Sequence, residues 1–212
     1  MNKQIKAIIF DAGRVLVNFD NAPFFNGLAS FSTYSEEEIK SKLKESGIIQ
    51  KYHDGKINTQ EFYEEATTKI NASGLDFENF HNLWRSIITT PNKDIEKILN
   101  SIRPEIKLLI LSDTTKPHWE IINGFDSVKK FFPDKNQAIL SFEVKVSKPS
   151  AEIYWEAVKK ASCPIEECVF IDDHKENVEE FRNLGGNGIT YDCRVDSIDD
   201  LKNRLIKYNV FK

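Results

Sequence analysis

Cysteine is scarce in this chain, three residues in 212. Cys163, Cys168 and Cys193 are an odd set that makes no disulfide framework and matches no zinc-ligand spacing, which fits a reducing compartment. Long apolar runs are absent as well. Nowhere do about 18 apolar residues follow one another, so no membrane-spanning helix is expected. Met1-Asn2-Lys3 leads straight into a short strand-like run, which reads as no signal peptide and hence a cytoplasmic protein. There is no surplus of positive charge either. Lys and Arg number 29 against 33 Asp and Glu, a net −4 with both signs interspersed, and this excludes the basic footprint of nucleic-acid binding. Repeats and low-complexity segments are missing. What remains is the 40% apolar, 29% charged composition of a soluble globular enzyme, long enough to bury a full core and carry a modest second subdomain.

Several short apolar runs read as buried strands closed by polar clusters. Ile5 to Phe10 runs into Asp11, Lys107 to Leu111 into Ser112-Asp113-Thr114, and Cys168 to Ile171 into Asp172-Asp173. Ala138-Ile139-Leu140 and Gly188 to Tyr191 are weaker strands of the same kind. Helical periodicity lies between them, over Lys93 to Ile102, Ser150 to Ala161, and Lys175 to Leu184, the last stopped by Gly185-Gly186. Alternating strands and helices predict an α/β fold, a Rossmann-like parallel sheet covered on both faces.

The alternation breaks from Asn18 to Thr90, where no strand is evident and a plain βα loop of that length is abnormal. The segment reads as a helical unit. Ser35-Glu36-Glu37-Glu38 is a capping box opening a helix that ends near Gly47, and Asn58-Thr59-Gln60-Glu61 is a second. Phe77, Phe80, Trp84 and Ile87, with Leu83, mark a third helix. Its aromatic residues, among them Phe24, Phe25, Phe31, Tyr34, Tyr52, Phe62 and Tyr63, read mainly as packing. The expected division is a core of residues 1–17 and 91–212 and an α-helical cap of residues 18–90. Inserted after the first strand, such a unit sits above that strand's carboxyl end. Only Asn209 to Lys212 is expected to fray.

In open parallel sheets, ligands bind outside the carboxyl ends of the strands. One acidic strand end is ordinary turn chemistry. Three on neighbouring strands gather Asp11, Asp172 and Asp173 into one crevice, where carboxylates repel unless a cation sits among them. Oxygen ligands at a strand end suit Mg²⁺, which keeps waters and takes substrate phosphate. Lys148, just before Pro149 and a helix that Ser150 can cap, is oddly placed for a lysine on dipole grounds, unless lysine and helix end both face an anion.

These residues, in this order, resemble the four signatures of the haloacid dehalogenase superfamily. Phe10-Asp11-Ala12-Gly13-Arg14-Val15-Leu16 resembles the first motif, Leu111-Ser112-Asp113-Thr114 the second and Ser147-Lys148-Pro149 the third. Val169 to Asn177 resembles the fourth, and Ile139-Leu140-Ser141-Phe142-Glu143-Val144 is similar to the stretch that precedes the third. The similarity is greatest to the bacterial branch that resembles α-D-glucose-1-phosphate phosphatase, which also has a cap segment like His53-Asp54-Gly55-Lys56-Ile57-Asn58. The resemblance implies a Mg²⁺-dependent phosphatase for a small phosphorylated metabolite, with a sugar phosphate among the candidates. It implies that Asp11 attacks phosphorus to form an aspartyl-phosphate and that Lys148 offsets charge on nucleophile and phosphate. Ser112, the backbone N–H of Asp113 and Lys148 are then the phosphate-binding groups. Asp11, the Gly13 carbonyl and Asp173 are the implied Mg²⁺ ligands, with Asp172 orienting Lys148 or a water and Asn177 in support.

Three departures bear on function. Most phosphatases of the superfamily have a second Asp two residues after the nucleophile as acid and base, and here Gly13 stands there. Asp113 replaces the usual Asn, so a carboxylate faces the phosphate unless its side chain turns away. Lys145 replaces a frequent Gly and reads as a harmless surface change. General acid–base help is worth about 10²–10⁴ in rate, so its loss points to a good leaving group: an anomeric, acyl or aryl oxygen. Asp20, Arg14 and His118 are the sequence neighbours that could substitute, although His118 reads as solvated or capping a helix. Two other readings remain: a dehalogenase, whose halide leaves without a proton, and a non-catalytic relative that binds a phosphorylated ligand.

Overall fold

The computed structural model describes residues 4–212. Met1-Asn2-Lys3, read above as a direct entry into the first strand, lie outside the described residues. Five strands form the parallel sheet: β1 (Ala7–Phe10), β4 (Lys107–Ser112), β5 (Ala138–Leu140), β6 (Cys168–Asp172) and β7 (Asn187–Thr190), in the order β5-β4-β1-β6-β7. Phe10 of β1 is flanked by Ile110 of β4 and Ile171 of β6, and Asp172 pairs with Thr190 of β7.

Residues alternate between the two faces, as the strand period of two requires. Ile8, Phe10, Ile110, Val169 and Ile171 face one apolar cluster, and Ala7, Ile9, Leu109, Leu111 and Phe170 face the other. The first cluster is closed by α6 (Ile95–Ser101), α7 (Lys116–Ile122), α8 (Asp126–Phe131) and α12 (Ile198–Ile206), and the second by α10 (Ala151–Ala161) and α11 (Lys175–Asn183). Because both faces are covered, the central strands are apolar at nearly every position. The chain runs outward from β1 through β4 to β5, then returns to β6 and β7 on the other side. The topological switch point thus falls between β1 and β6, with Asp11 and Asp172 at its mouth.

The segment between β1 and β4 contains two strands that the sequence does not reveal. Val17–Phe19 (β2) and Ile88–Pro91 (β3) form an antiparallel ribbon, Phe19 opposite Ile88 and Val17 opposite Pro91. The expectation of no strand between Asn18 and Thr90 is corrected accordingly. Elements of three and four residues are too short to show alternation, and Thr89 and Thr90 are exposed. Through this ribbon the chain leaves the sheet and returns to it.

Five helices lie beyond it: α1 (Ala22–Ala29), α2 (Glu36–Glu45), α3 (Ile48–His53), α4 (Thr59–Lys69) and α5 (Phe77–Arg85). Ser35 and Glu38 form a reciprocal capping box on α2, as do Asn58 and Glu61 on α4, while Asp76 caps α5. Both α1 and α3 escape the sequence reading. They are short, and neither has a side-chain cap. The five helices share an apolar cluster of their own, centred on Phe24, Tyr52, Phe62, Phe80 and Trp84. No helix among the described residues is long and apolar enough to cross a membrane.

The C-terminal residues do not fray. Val210 is fully buried, Arg103 N–H donates to its carbonyl at 3.0 Å, and Lys212 N–H donates to Ser101 at 3.0 Å. An apolar residue so close to the end finds its partner in the α6 segment, a contact no local pattern reveals.

Candidate active site

Asp11 leaves β1 with its backbone N–H still donating to Ile171 at 2.8 Å, so the sheet ladder fixes where its side chain begins. The chain then turns tightly: Arg14 N–H donates to Val17 at 2.7 Å, and Arg14 takes a left-handed conformation at φ 56°. β4 ends in Ser112 and Asp113, and β6 in Asp172 and Asp173. Asp11, Asp172 and Asp173 each offer a carboxylate oxygen, all within 4.8 Å of one another.

Lys148 reaches this group from the loop ahead of α10, and its peptide bond to Pro149 is cis. Its Nζ donates to Asp11 Oδ1 at 2.5 Å and Asp172 Oδ2 at 2.6 Å, with the side chain only 3% exposed. Burial disfavours that ammonium charge, but Asp11, Asp172 and Asp113 outweigh it and hold Lys148 well above its ordinary pKa. Burial also pushes the Asp11 carboxyl well above the usual carboxylate range; Lys148 pulls it back, and Asp172 and Asp173 push it further up. Asp173 is raised by burial too, against His174 and Arg14. The four carboxylates Asp11, Asp113, Asp172 and Asp173 outnumber the cations Lys148 and Arg14 by two. The crevice is therefore short of positive charge.

The remaining lone pairs sort the carboxylates. Asp172 is fully committed: Oδ1 accepts from His174 N–H at 2.7 Å, and Asn177 Nδ2 donates to both oxygens at 3.1 Å. Asp173 is paired through Oδ2 with Arg14 Nη1 at 3.2 Å, leaving Oδ1 free. Among the described residues no N–H donates to the Gly13 carbonyl, and no protein group takes the Ser112 hydroxyl. Asp113 does not simply confront an incoming anion. Its Oδ1 accepts from Lys148 N–H at 3.0 Å, so it anchors the loop that carries the lysine.

Four side-chain readings are corrected. His118 is buried, not solvated: its Nε2–H donates to Trp84 carbonyl at 2.7 Å and its ring stacks on Trp84 at 4.7 Å. Burial pushes it down to about 4, against the pull of that carbonyl. Asp20 is exposed and accepts from Ala22 N–H at the start of α1. Ser150 occupies the N-cap of α10, but its hydroxyl bonds Glu152 rather than the helix end. Lys145 is no bystander, because its Nζ donates to Gly55 carbonyl of the helical unit at 2.7 Å.

The helices stand over the strand ends and enclose a cleft of about 340 Å³. Asp11, Gly13, Ser112, Asp113, Lys148 and Asp173 line its floor. Phe19, Phe25, Ile49, Trp84, Ile87 and Ile88 give the apolar part of its lining, with Phe19 beside Gly13, and His53 stands among them. Sequence reasoning missed His53 and Phe19 as site residues. The only signal for either was position, Phe19 on the strand after the first motif and His53 at the start of the cap segment.

Comparison with known proteins bears on this arrangement. The chain is 24% identical to D-ribitol-5-phosphate phosphatase of Bacteroides thetaiotaomicron over 186 residues, covering 85% of this chain and 89% of that protein. It is also 24% identical to drimenol cyclase of Aspergillus calidoustus over 194 residues, covering 88% of this chain but spanning only 34% of the cyclase. The fold superposes on a HAD family enzyme of B. thetaiotaomicron with a TM-score of 0.80 at 23% identity, covering 94% of this chain and 99% of that one. A further crystal structure of that enzyme is a complex with magnesium and inorganic phosphate (TM-score 0.77, 23% identity, 93% and 98% covered). The family model for haloacid dehalogenase-like hydrolases matches residues 5–185, which takes in every strand of the sheet except β7. The chain belongs to the haloacid dehalogenase-like hydrolase family.

Proposed function

We propose that this protein is a Mg²⁺-dependent phosphatase, acting on a small phosphorylated metabolite through an aspartyl-phosphate on Asp11. The observation that carries the reading is the buried Lys148 ammonium held between Asp11 and Asp172, with a third carboxylate, Asp173, inside the same 4.8 Å cluster. The relatives support it, since one is a sugar-phosphate phosphatase and another has been solved with magnesium and phosphate. Three free thiols are compatible with a cytoplasmic setting.

The residues present fit a divalent cation, because the crevice lacks two positive charges and offers oxygen donors only. Asp11, the free Oδ1 of Asp173 and the unpaired Gly13 carbonyl would hold it, and Asp172 is excluded by its own hydrogen bonds. Bound there, the ion supplies charge neutralisation for an anionic phosphate beside an anionic nucleophile. Lys148 fixes Asp11 by Oδ1 and adds a second positive charge at the point of attack. Ser112 and the Asp113 N–H bind phosphoryl oxygens. Asp11 forms a bond to phosphorus as the ester P–O bond breaks, and that electron pair departs with the leaving oxygen. Water then attacks phosphorus, the pair returns to the Asp11 carboxylate, and inorganic phosphate is released. The helical unit acts as a cap that selects the organic group.

A panel of phosphate esters, acetyl phosphate and 2-haloacids, assayed with Mg²⁺ and with EDTA, tests this reading. The expected result is phosphate release that EDTA abolishes and that Asp11→Asn lowers by at least about 10³-fold. Turnover of haloacids in EDTA with no phosphate release would establish a dehalogenase instead.

A further inference from the structure

Resting on the phosphatase reading, we propose that the substrate is an aryl phosphate, whose ring lies against the apolar part of the cleft while its phosphate meets Asp11. Two independent features lead there.

The first concerns the leaving group. A Cβ at Gly13 would stand 3.0 Å from Cε1 of Phe19, so the place from which an acid would reach the leaving oxygen is filled by a phenyl ring. That ring is itself held, with the Arg14 guanidinium 4.4 Å from its centroid and Arg14 paired with Asp173. Of the three histidines on the cleft, His174 is turned to Asp173, with Nε2 3.6 Å from its Oδ2, and the other two, His53 and His118, offer no replacement acid. His118 is committed to the Trp84 carbonyl, and both rings are pushed down to about 4 by burial and so stay neutral. The leaving oxygen must therefore depart as an anion. A phenol-like oxygen, with a pKa of about 10, leaves far more readily than an alkoxide, whose conjugate acid is as weak as water.

The second feature is the wall that faces the organic group. Phe19, Phe25, Ile49 and Ile88 are half-buried and leave apolar surface in the cleft. Trp84 completes the wall, and its Nε1–H is already donated to Thr115 at 3.1 Å. Among the described residues, the only lining polar side chains beyond the phosphate end with no hydrogen-bond partner are His53, Thr114 and, exposed at the rim, Asn21. A polyol carries a hydroxyl on each carbon and would lose water at several of them without a protein partner. An aryl ring loses none and packs edge or face against Phe25 and Trp84.

The step balances without a protein acid. Asp11 bonds to phosphorus, the P–O(aryl) bond breaks, and the aryloxide takes its proton from bulk water. Hydrolysis of the aspartyl-phosphate then restores the carboxylate and yields inorganic phosphate.

The test compares phenyl phosphate with cyclohexyl phosphate, D-ribitol 5-phosphate and acetyl phosphate at saturating Mg²⁺. Phenyl phosphate should exceed both alkyl esters in kcat/KM by about 100-fold or more, the size of a missing general acid. Phe25→Ser and Ile49→Ser should each lower kcat/KM for phenyl phosphate about ten-fold through KM. Both should lower acetyl phosphate turnover far less than phenyl phosphate turnover, and Phe25→Leu should retain activity on phenyl phosphate. If acetyl phosphate is hydrolysed but ribitol phosphate matches or exceeds phenyl phosphate, the aryl assignment fails and the phosphatase reading stands. If no phosphate is turned over at all, acetyl phosphate included, the phosphatase reading itself fails.

Discussion

Gly13 and Phe19 belong together. The first-motif resemblance implies a carboxylate two residues after Asp11; here that residue is glycine, and the Phe19 ring stands 3.0 Å from where its Cβ would be. The pair therefore reads as one change of chemistry. Gly13→Asp alone should gain little on alkyl phosphates, because the new side chain must displace Phe19. Gly13→Asp with Phe19→Ala, which opens that space, should raise kcat on cyclohexyl phosphate by about 10²-fold, as a working acid would. Steady-state kinetics of the wild type and the two variants decides it. Equal gains with and without Phe19 would mean that the ring does not guard the position. Phe19 is also where sequence reasoning ran out. The missing Asp is legible in the order Asp11-Ala12-Gly13, whereas the ring that fills its place comes from a strand too short to recognise.

At the scale of elements, the loop that carries Lys148 is held from two sides. Asp113, at the end of β4, takes its backbone N–H, and the turn after α3 takes the residues before it. Asp54 Oδ1 accepts from the Ser147 hydroxyl at 2.6 Å and from Gln50 at 2.9 Å, while Lys56 pairs with its Oδ2 at 2.7 Å. Ser141 Oγ donates to His53 carbonyl at 2.6 Å and accepts from Thr114 N–H at 3.0 Å, tying β4 to the helical unit. Gly55 fits there because its φ is +60° and a Cβ would meet the Phe142 carbonyl at 2.2 Å. Lys148, the lysine proposed to act beside Asp11, is thus positioned by the helical unit as well as by the sheet. Asp54→Ala should lower kcat about ten-fold and stability by about 2 kcal/mol, since it strands the Ser147 hydroxyl. Asp54→Asn, which keeps an acceptor, should recover most of the rate. If thermal melts fall while kcat stays at the wild-type value well below the melting temperature, Asp54 is only structural. The capping boxes at Ser35 and Asn58 were legible because both partners lie within one turn. The Asp54–Ser147 contact joins residues 93 apart, and no local pattern encodes it.

Across the whole molecule, what the sequence makes plain is the sheet. Five apolar runs become five parallel strands, and the three acidic endings meet because β4, β1 and β6 are neighbours. What stays hidden is whatever depends on distant partners, such as the β2–β3 ribbon, the burial of Val210, and the commitment of His118 to Trp84. Charge gives the same contrast. A net −4 says little by itself, but the fold concentrates four carboxylates around two cations at the switch point of the sheet. That site is equipped to accept a phosphoryl group and poorly equipped to activate the water that removes it. On the proposed mechanism, hydrolysis of the aspartyl-phosphate should be the slow step and the intermediate should accumulate. Acid-quenching the enzyme during steady-state turnover of phenyl phosphate with Mg²⁺, followed by peptide mass spectrometry, measures this directly. Most of the protein should carry a phosphoryl group on Asp11, and none should in Asp11→Asn. Steady phosphate release with Asp11 unmodified, undiminished in Asp11→Asn, would contradict the assignment of Asp11 as nucleophile.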